Sequence, residues 1–130
     1  NPLSGKKLSI ELNNHHIYLT ASVNEPCGNH QIEGAMCGLP LLYLDSGALP
    51  ETCDGFGIKF NYSNFEDKLE LMINDYEHYK RKIQNFNLTS DLMCEKYHQL
   101  FEKLTLNKYD IIKNRKLSPF VRTLIKLFPF

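Results

Sequence analysis

A chain of 130 residues with 42% hydrophobic and 12% aromatic side chains holds enough apolar material for one domain with a modest core. Fifteen basic and fifteen acidic residues cancel, so the chain has no global positive field to steer it toward nucleic acid. No apolar run approaches the roughly 20 residues that span a bilayer. Four cysteines, Cys27, Cys37, Cys53 and Cys94, follow neither a disulfide framework nor a zinc module, which favours reduced thiols and a cytoplasmic protein without a metal. No signal peptide is visible, and because the chain starts at Asn1 its native start is expected upstream. The sequons Asn61-Tyr62-Ser63 and Asn87-Leu88-Thr89 bear on function only in a secreted protein.

In chain order, the compact β-prone run Ile17 to Thr20 predicts a first strand, and His15 and His16 before it are expected to pack or cap. A helix follows from about Asn29 to Cys37, with Ile32, Ala35 and Met36 on one face. Gly38 terminates it and Pro40 forbids its continuation. Pro40 to Leu44 predicts a second strand, Asp45-Ser46-Gly47 a turn, Leu49 to Cys53 one short helical turn, and Gly57 to Phe60 a third strand. Short apolar strands separated by helices predict an α/β fold, a partial Rossmann-like parallel sheet covered on both faces and followed by α-helices.

From Asn64 onward the pattern is mostly helical, with Phe65, Leu69 and Met72 in one stripe. Thr89 or Ser90 caps a later helix on which Met93, Tyr97, Leu100, Phe101 and Leu104 align as expected core. Ser118-Pro119 reads as a cap and first helical position, ahead of a helix carrying Phe120, Val121, Leu124, Ile125 and Phe128 on one side. Two segments are expected, residues 1–88 as part of a ligand-binding α/β domain and residues 89–130 as a helical tail.

The stretch that carries chemistry runs from Thr20 to Glu51. A strand, a loop, Gly28 and a helix start follow one another in it. Backbone N–H groups at a helix start are unsatisfied and partly positive, and a glycine there lets a ligand approach them. That arrangement at the carboxyl edge of a parallel sheet suits phosphate. Glu25 precedes the helix and Glu33 lies one turn after Asn29. Carboxylates accept hydrogen bonds from vicinal hydroxyls, so amides beside two carboxylates suit a sugar nucleotide. The plainer alternative is a solvated Glu33 and a Glu25 that only complements the helix dipole.

The same stretch resembles the signature of glycosyltransferase family 4 and its GT-B relatives. The matching residues are Ser22, Glu25, Gly28, Glu33, Gly34 to Pro40 and Ser46 to Glu51, with order and spacing kept over about 30 residues. Similarity weakens to about residue 75, and the tail beyond Ser90 carries no such match. The resemblance implies the C-terminal, donor-binding half of a retaining glycosyltransferase of glycan biosynthesis, with a UDP-, GDP- or ADP-linked sugar as co-substrate and no other cofactor. Glu25 would be the catalytic residue and contact the donor sugar hydroxyls. Gly28, Asn29 and His30 would face the sugar and diphosphate through backbone amides, Glu33 would hold the ribose, and Ser46 and Gly47 would line the crevice. Glu51 would only fix the local turn. Pro26-Cys27 departs from the family's Gly-Phe, so the contact beside the donor is expected to differ. The His30 side chain either meets the diphosphate or is solvent-facing or satisfied in the core.

The resemblance also implies an Arg/Lys pair and an acceptor-binding N-terminal domain upstream, so this chain alone is expected to be inactive toward its acceptor glycan or lipid. A non-catalytic nucleotide-sugar-binding partner is the alternative, and a GT-B epimerase or phosphorylase is the third. Six basic residues and one acid from Lys108 to Lys126 leave two readings of the tail: docking on the N-terminal domain, or contact with the inner face of a membrane.

Overall fold

The computed structural model describes residues 2–115, 119, 123, 126 and 127. The chain divides into two compact units, Asn1–Leu88 and Thr89–Phe130. The first is mixed α/β. Its three strands, β1 (Tyr18–Thr20), β2 (Leu41–Leu44) and β3 (Gly57–Phe60), form an all-parallel sheet in the order β1-β2-β3. Thr20 stands beside Tyr43, and Leu44 beside Phe60.

Helix α1 (Gly5–Leu12) precedes the sheet, and no residue of it is buried. Helix α2 (His30–Met36) joins β1 to β2, and α3 (Leu49–Cys53) joins β2 to β3. Helices α4 (Phe65–Asn74) and α5 (Tyr76–Ile83) follow β3. A parallel sheet of this kind needs cover on both faces. Gly34 of α2 lies so close to the Tyr18 ring that a Cβ there would collide with it. On the opposite face the Phe65 ring of α4 meets Phe60 edge-on at 5.1 Å. All four residues of β2 are therefore buried, as a central parallel strand demands. The core adds Leu49, Cys53, Met72 and Ile83 to them, and Phe56 packs edge-on against Phe86 at its margin.

Helix α2 ends as its sequence dictates. Gly38 takes φ +76, its N–H donates to the Ala35 carbonyl at 2.8 Å, and the Leu39 N–H donates to the Gly34 carbonyl at 3.1 Å. This is the Schellman arrangement that a glycine after a helix permits. Lys80 of α5 donates to the Gly38 carbonyl at 2.8 Å and ties the same corner down.

The face of α2 differs from expectation. Gln31, Gly34 and Ala35 are buried, Ile32 is half-buried and Met36 is exposed. The small residues Gly34 and Ala35 turn to the sheet because only they allow its close approach, and that rotation carries Gln31 inward and Met36 outward. His15 and His16 are both exposed, with His15 pairing with Glu11 at 3.4 Å.

The second unit contains α6 (Ser90–Leu106) and α7 (Lys108–Asn114), neither with a buried residue. Thr89 caps α6 by accepting from the Leu92 N–H at 3.2 Å. Met93, Tyr97, Leu100, Phe101 and Leu104 do align on α6, but each is exposed instead of core. The cap at Ser118 and the stripe expected on Phe120, Val121, Leu124, Ile125 and Phe128 lie outside the described residues. Among the described residues no helix is long and apolar enough to cross a membrane.

Candidate functional site

The loops that leave the carboxyl ends of β1 and β2 are bound to each other. The Asn24 N–H donates to Ser46 Oγ at 2.8 Å, and the Ala48 N–H donates to the Glu25 carbonyl at 2.8 Å. Asn24 sits at φ 53 and Gly47 at φ 57, in the left-handed region. Glycine is required at 47 for a second reason. A Cβ there would stand 2.5 Å from the Glu25 carbonyl oxygen and 2.6 Å from its nitrogen. The contact fixes the backbone of Glu25 beside Ser46 and Gly47.

The Glu25 carboxylate is half-buried. One oxygen lies 3.4 Å from the Cys27 N–H, and the other lies 4.0 Å from Nε2 of His30 at the start of α2. His30 Nδ1 is 3.2 Å from the Tyr18 hydroxyl, and the two rings are stacked 6.0 Å apart. Burial first, and the negative charge of Glu33 second, raise the Tyr18 phenol above its ordinary value. Tyr18 and His30 therefore form a bridge of side chains from the neighbourhood of Glu33 to Glu25.

Gly28 permits this packing. A Cβ on it would lie 2.9 Å from His30 Nε2 and 3.0 Å from Gln31 Oε1. Gln31 is almost fully buried, and its Nε2 donates to Thr52 Oγ1 of α3 at 3.3 Å. His30 Nε2 and Gln31 Oε1 are closed off from solvent and have no hydrogen-bond partner.

Of the residues singled out from the sequence, Glu25, Gly28, His30, Ser46 and Gly47 meet at this edge of the sheet. Asn29 is the N-cap of α2 but makes no side-chain cap, and it is exposed. Glu33 is exposed, its N–H donating to the Asn29 carbonyl at 2.9 Å. Glu51 is exposed in the first turn of α3. Sequence reasoning missed Tyr18 and Gln31. The signal for Gln31 was its spacing of three and four residues from Gly34 and Ala35, which puts all three on one helical face.

All four cysteines are free thiols; burial raises the Cys53 thiol, partly offset by its hydrogen bond with Thr52. Among the described residues no group of three His, Cys, Asp or Glu side chains stands where a metal ion could be held. An open cleft of about 480 Å³ lies elsewhere, along β3, lined among others by Tyr43, Asp54, Lys59, Lys68 and Tyr79. Lys59 there pairs with Asp45 at 3.2 Å. None of the residues lining that cleft belongs to the donor-site set.

Comparison with family models, with curated proteins and with solved structures found no match.

Proposed function

We propose that this chain carries the donor-binding part of a retaining GT-B glycosyltransferase that uses a nucleotide-diphosphate sugar. The observation that carries the reading is the joining of the loops after β1 and β2, which brings Glu25, Ser46 and Gly47 together at the carboxyl edge of a parallel sheet. Ligands of open parallel sheets bind at that edge.

In this reading the Glu25 carboxylate accepts hydrogen bonds from the donor sugar and orients it, a positioning contribution. The N–H groups of Gly28, Asn29 and His30 face the sugar and diphosphate and stabilise negative charge as the diphosphate departs. Glu33, exposed one turn along α2, accepts from the ribose hydroxyls. In the family this reading invokes, an Arg/Lys pair on an earlier strand loop grips the diphosphate and a separate N-terminal domain holds the acceptor, and transfer in the cytoplasm is the reaction proposed for the whole enzyme.

The test is a binding titration of the chain against UDP-, GDP- and ADP-sugars, with Glu33→Ala beside it. Saturable binding of one donor is expected, weakened about tenfold by the loss of a charged hydrogen-bond acceptor. Absence of binding to all three would overturn the reading. Equal binding by the variant would remove Glu33 from the site.

A further inference from the structure

Helix α6 separates its side chains by chemistry. At the helical repeat, Met93, Tyr97, Leu100, Phe101 and Leu104 fall on one side, and they stand between 44% and 60% exposed. Asp91, Glu95 and Glu102 fall on the opposite side. Two of these acids have partners on the helix itself: Gln99 donates to Glu95 at 3.1 Å, and His98 stands 3.4 Å from Glu102. Lys96 and Lys103 lie about a quarter turn from the centre of the apolar side, both on one flank of it. Among the described residues neither lysine is in an ion pair.

The charge of the whole unit leans the same way. Thr89–Phe130 has eight basic and four acidic residues, whereas Asn1–Leu88 has seven and eleven. The basic excess thus belongs to the unit whose helices α6 and α7 bury no residue. Met93, Tyr97, Leu100 and Leu104 follow one another at four, three and four residues, the spacing of a seam that pairs two copies of a helix. Charge opposes such a pair. In a parallel pair Lys96 and Lys103 would meet Cys94 and Phe101 of the other copy, and in an antiparallel pair they would meet each other. Neither arrangement offers them an acid. A surface of anionic headgroups does. A helix lying on it needs a central apolar face, cations beside that face whose stems run along the lipid to the phosphates, and acids turned to water. Helix α6 has all three.

We propose that α6 lies flat on an anionic membrane surface, with Met93, Tyr97, Leu100, Phe101 and Leu104 against the acyl chains and Lys96 and Lys103 at the headgroup phosphates. Among the described residues no helix is long and apolar enough to cross a bilayer, so α6 stays in the interfacial plane. The six basic residues that follow it in sequence, from Lys108 to Lys126, add attraction to the same headgroups.

The chain has no tryptophan, so an introduced one reports only its own surroundings. Two variants of the full chain are compared: Tyr97→Trp on the apolar side of α6 and Gln99→Trp on the acidic side. Each is titrated with vesicles of phosphatidylcholine alone and of phosphatidylcholine mixed with phosphatidylglycerol. The mixed vesicles should shift the emission of the Tyr97→Trp chain to the blue and leave that of the Gln99→Trp chain unchanged. In co-sedimentation, Phe101→Glu should abolish binding to the mixed vesicles, and Lys96→Gln together with Lys103→Gln should weaken it about tenfold. Circular dichroism first establishes that each variant keeps its helix, and if Phe101→Glu does not, the two tryptophan reporters decide alone. No shift in the Tyr97→Trp chain, equal shifts in both reporters, or equal binding to the two kinds of vesicle would overturn the proposal. Binding that survives both Phe101→Glu and the paired lysine change would place the contact elsewhere in the chain and overturn it too. A concentration-dependent dimer that Phe101→Glu dissolves, without vesicle binding, would overturn it in favour of a second copy.

Discussion

At the scale of single residues, the glycines of the site were legible and the polar partners were not. Gly28 and Gly47 announced themselves because a turn or a close backbone approach asks for glycine whatever surrounds it. Gln31 and Tyr18 did not, since their roles depend on how far α2 is rotated against the sheet, and that rotation is set by Gly34 meeting the Tyr18 ring. Gly47→Ala tests the first class. At φ 57, with its new Cβ 2.5 Å from the Glu25 carbonyl oxygen, alanine must displace the loop that holds Glu25. Chemical denaturation should show a loss of about 1–3 kcal/mol, and donor binding should weaken with it. Tyr43 tests electrostatics. Burial first, then the charges of Asp54, Cys53 and Asp45, push its phenol from 10.0 up to about 12. The folded value lies above the unfolded one, so the stabilisation is complete below pH 10 and is lost as pH rises through about 12. Each unit of separation corresponds to about 1.4 kcal/mol. The melting temperature should fall between pH 10 and 12, and Tyr43→Phe should flatten that fall, with the raised phenol of Tyr18 leaving a remainder.

At the scale of elements, the strands and the first helices could be read because local signals agreed with the fold. Gly57 to Phe60 is the strand its β-prone residues suggested, and a Cβ at Gly57 would run into the Leu41 carbonyl of β2. Leu49–Cys53 is the short helix expected after the Ser46-Gly47 turn. The stripe of α4 faces inward as its period requires, with Met72 fully buried. Met72→Ala should therefore cost about 2–5 kcal/mol in denaturant unfolding, the range for a large core side chain cut to alanine. Helix α6 shows where the pattern stops being informative. A cap at Thr89 or Ser90 was legible, but a stripe at helical spacing states only that one face is apolar, not that anything covers it. No residue of α6 is buried, so its end caps bear on its stability. Thr89→Ala removes the acceptor for the Leu92 N–H and should cost about 1 kcal/mol, seen as faster amide exchange in the first turn of α6.

At the scale of the whole molecule, the α/β class and the parallel sheet could be read from strands alternating with helices, because that alternation leaves few other ways to bury β2. The distribution of burial between the two units could not, since it depends on what each apolar face meets. Among the described residues, every member of the buried core cluster, from Ala35 to Ile83, belongs to Asn1–Leu88, whereas α6 and α7 of Thr89–Phe130 bury none of theirs. Apolar burial is the dominant favourable term in folding, and helices without tertiary cover are marginal in water. The first unit has a buried apolar core of its own, while α6 of the second has an exposed stripe and a capped start. A chain cut after Leu88 should unfold cooperatively with nearly the midpoint of the full chain, and residues 89–130 alone should lose helical signal gradually on heating. A midpoint much lower in the shortened chain would mean that the second unit stabilises the sheet. That result would assign the stripe of Met93, Tyr97, Leu100, Phe101 and Leu104 to holding the chain's own α/β unit together.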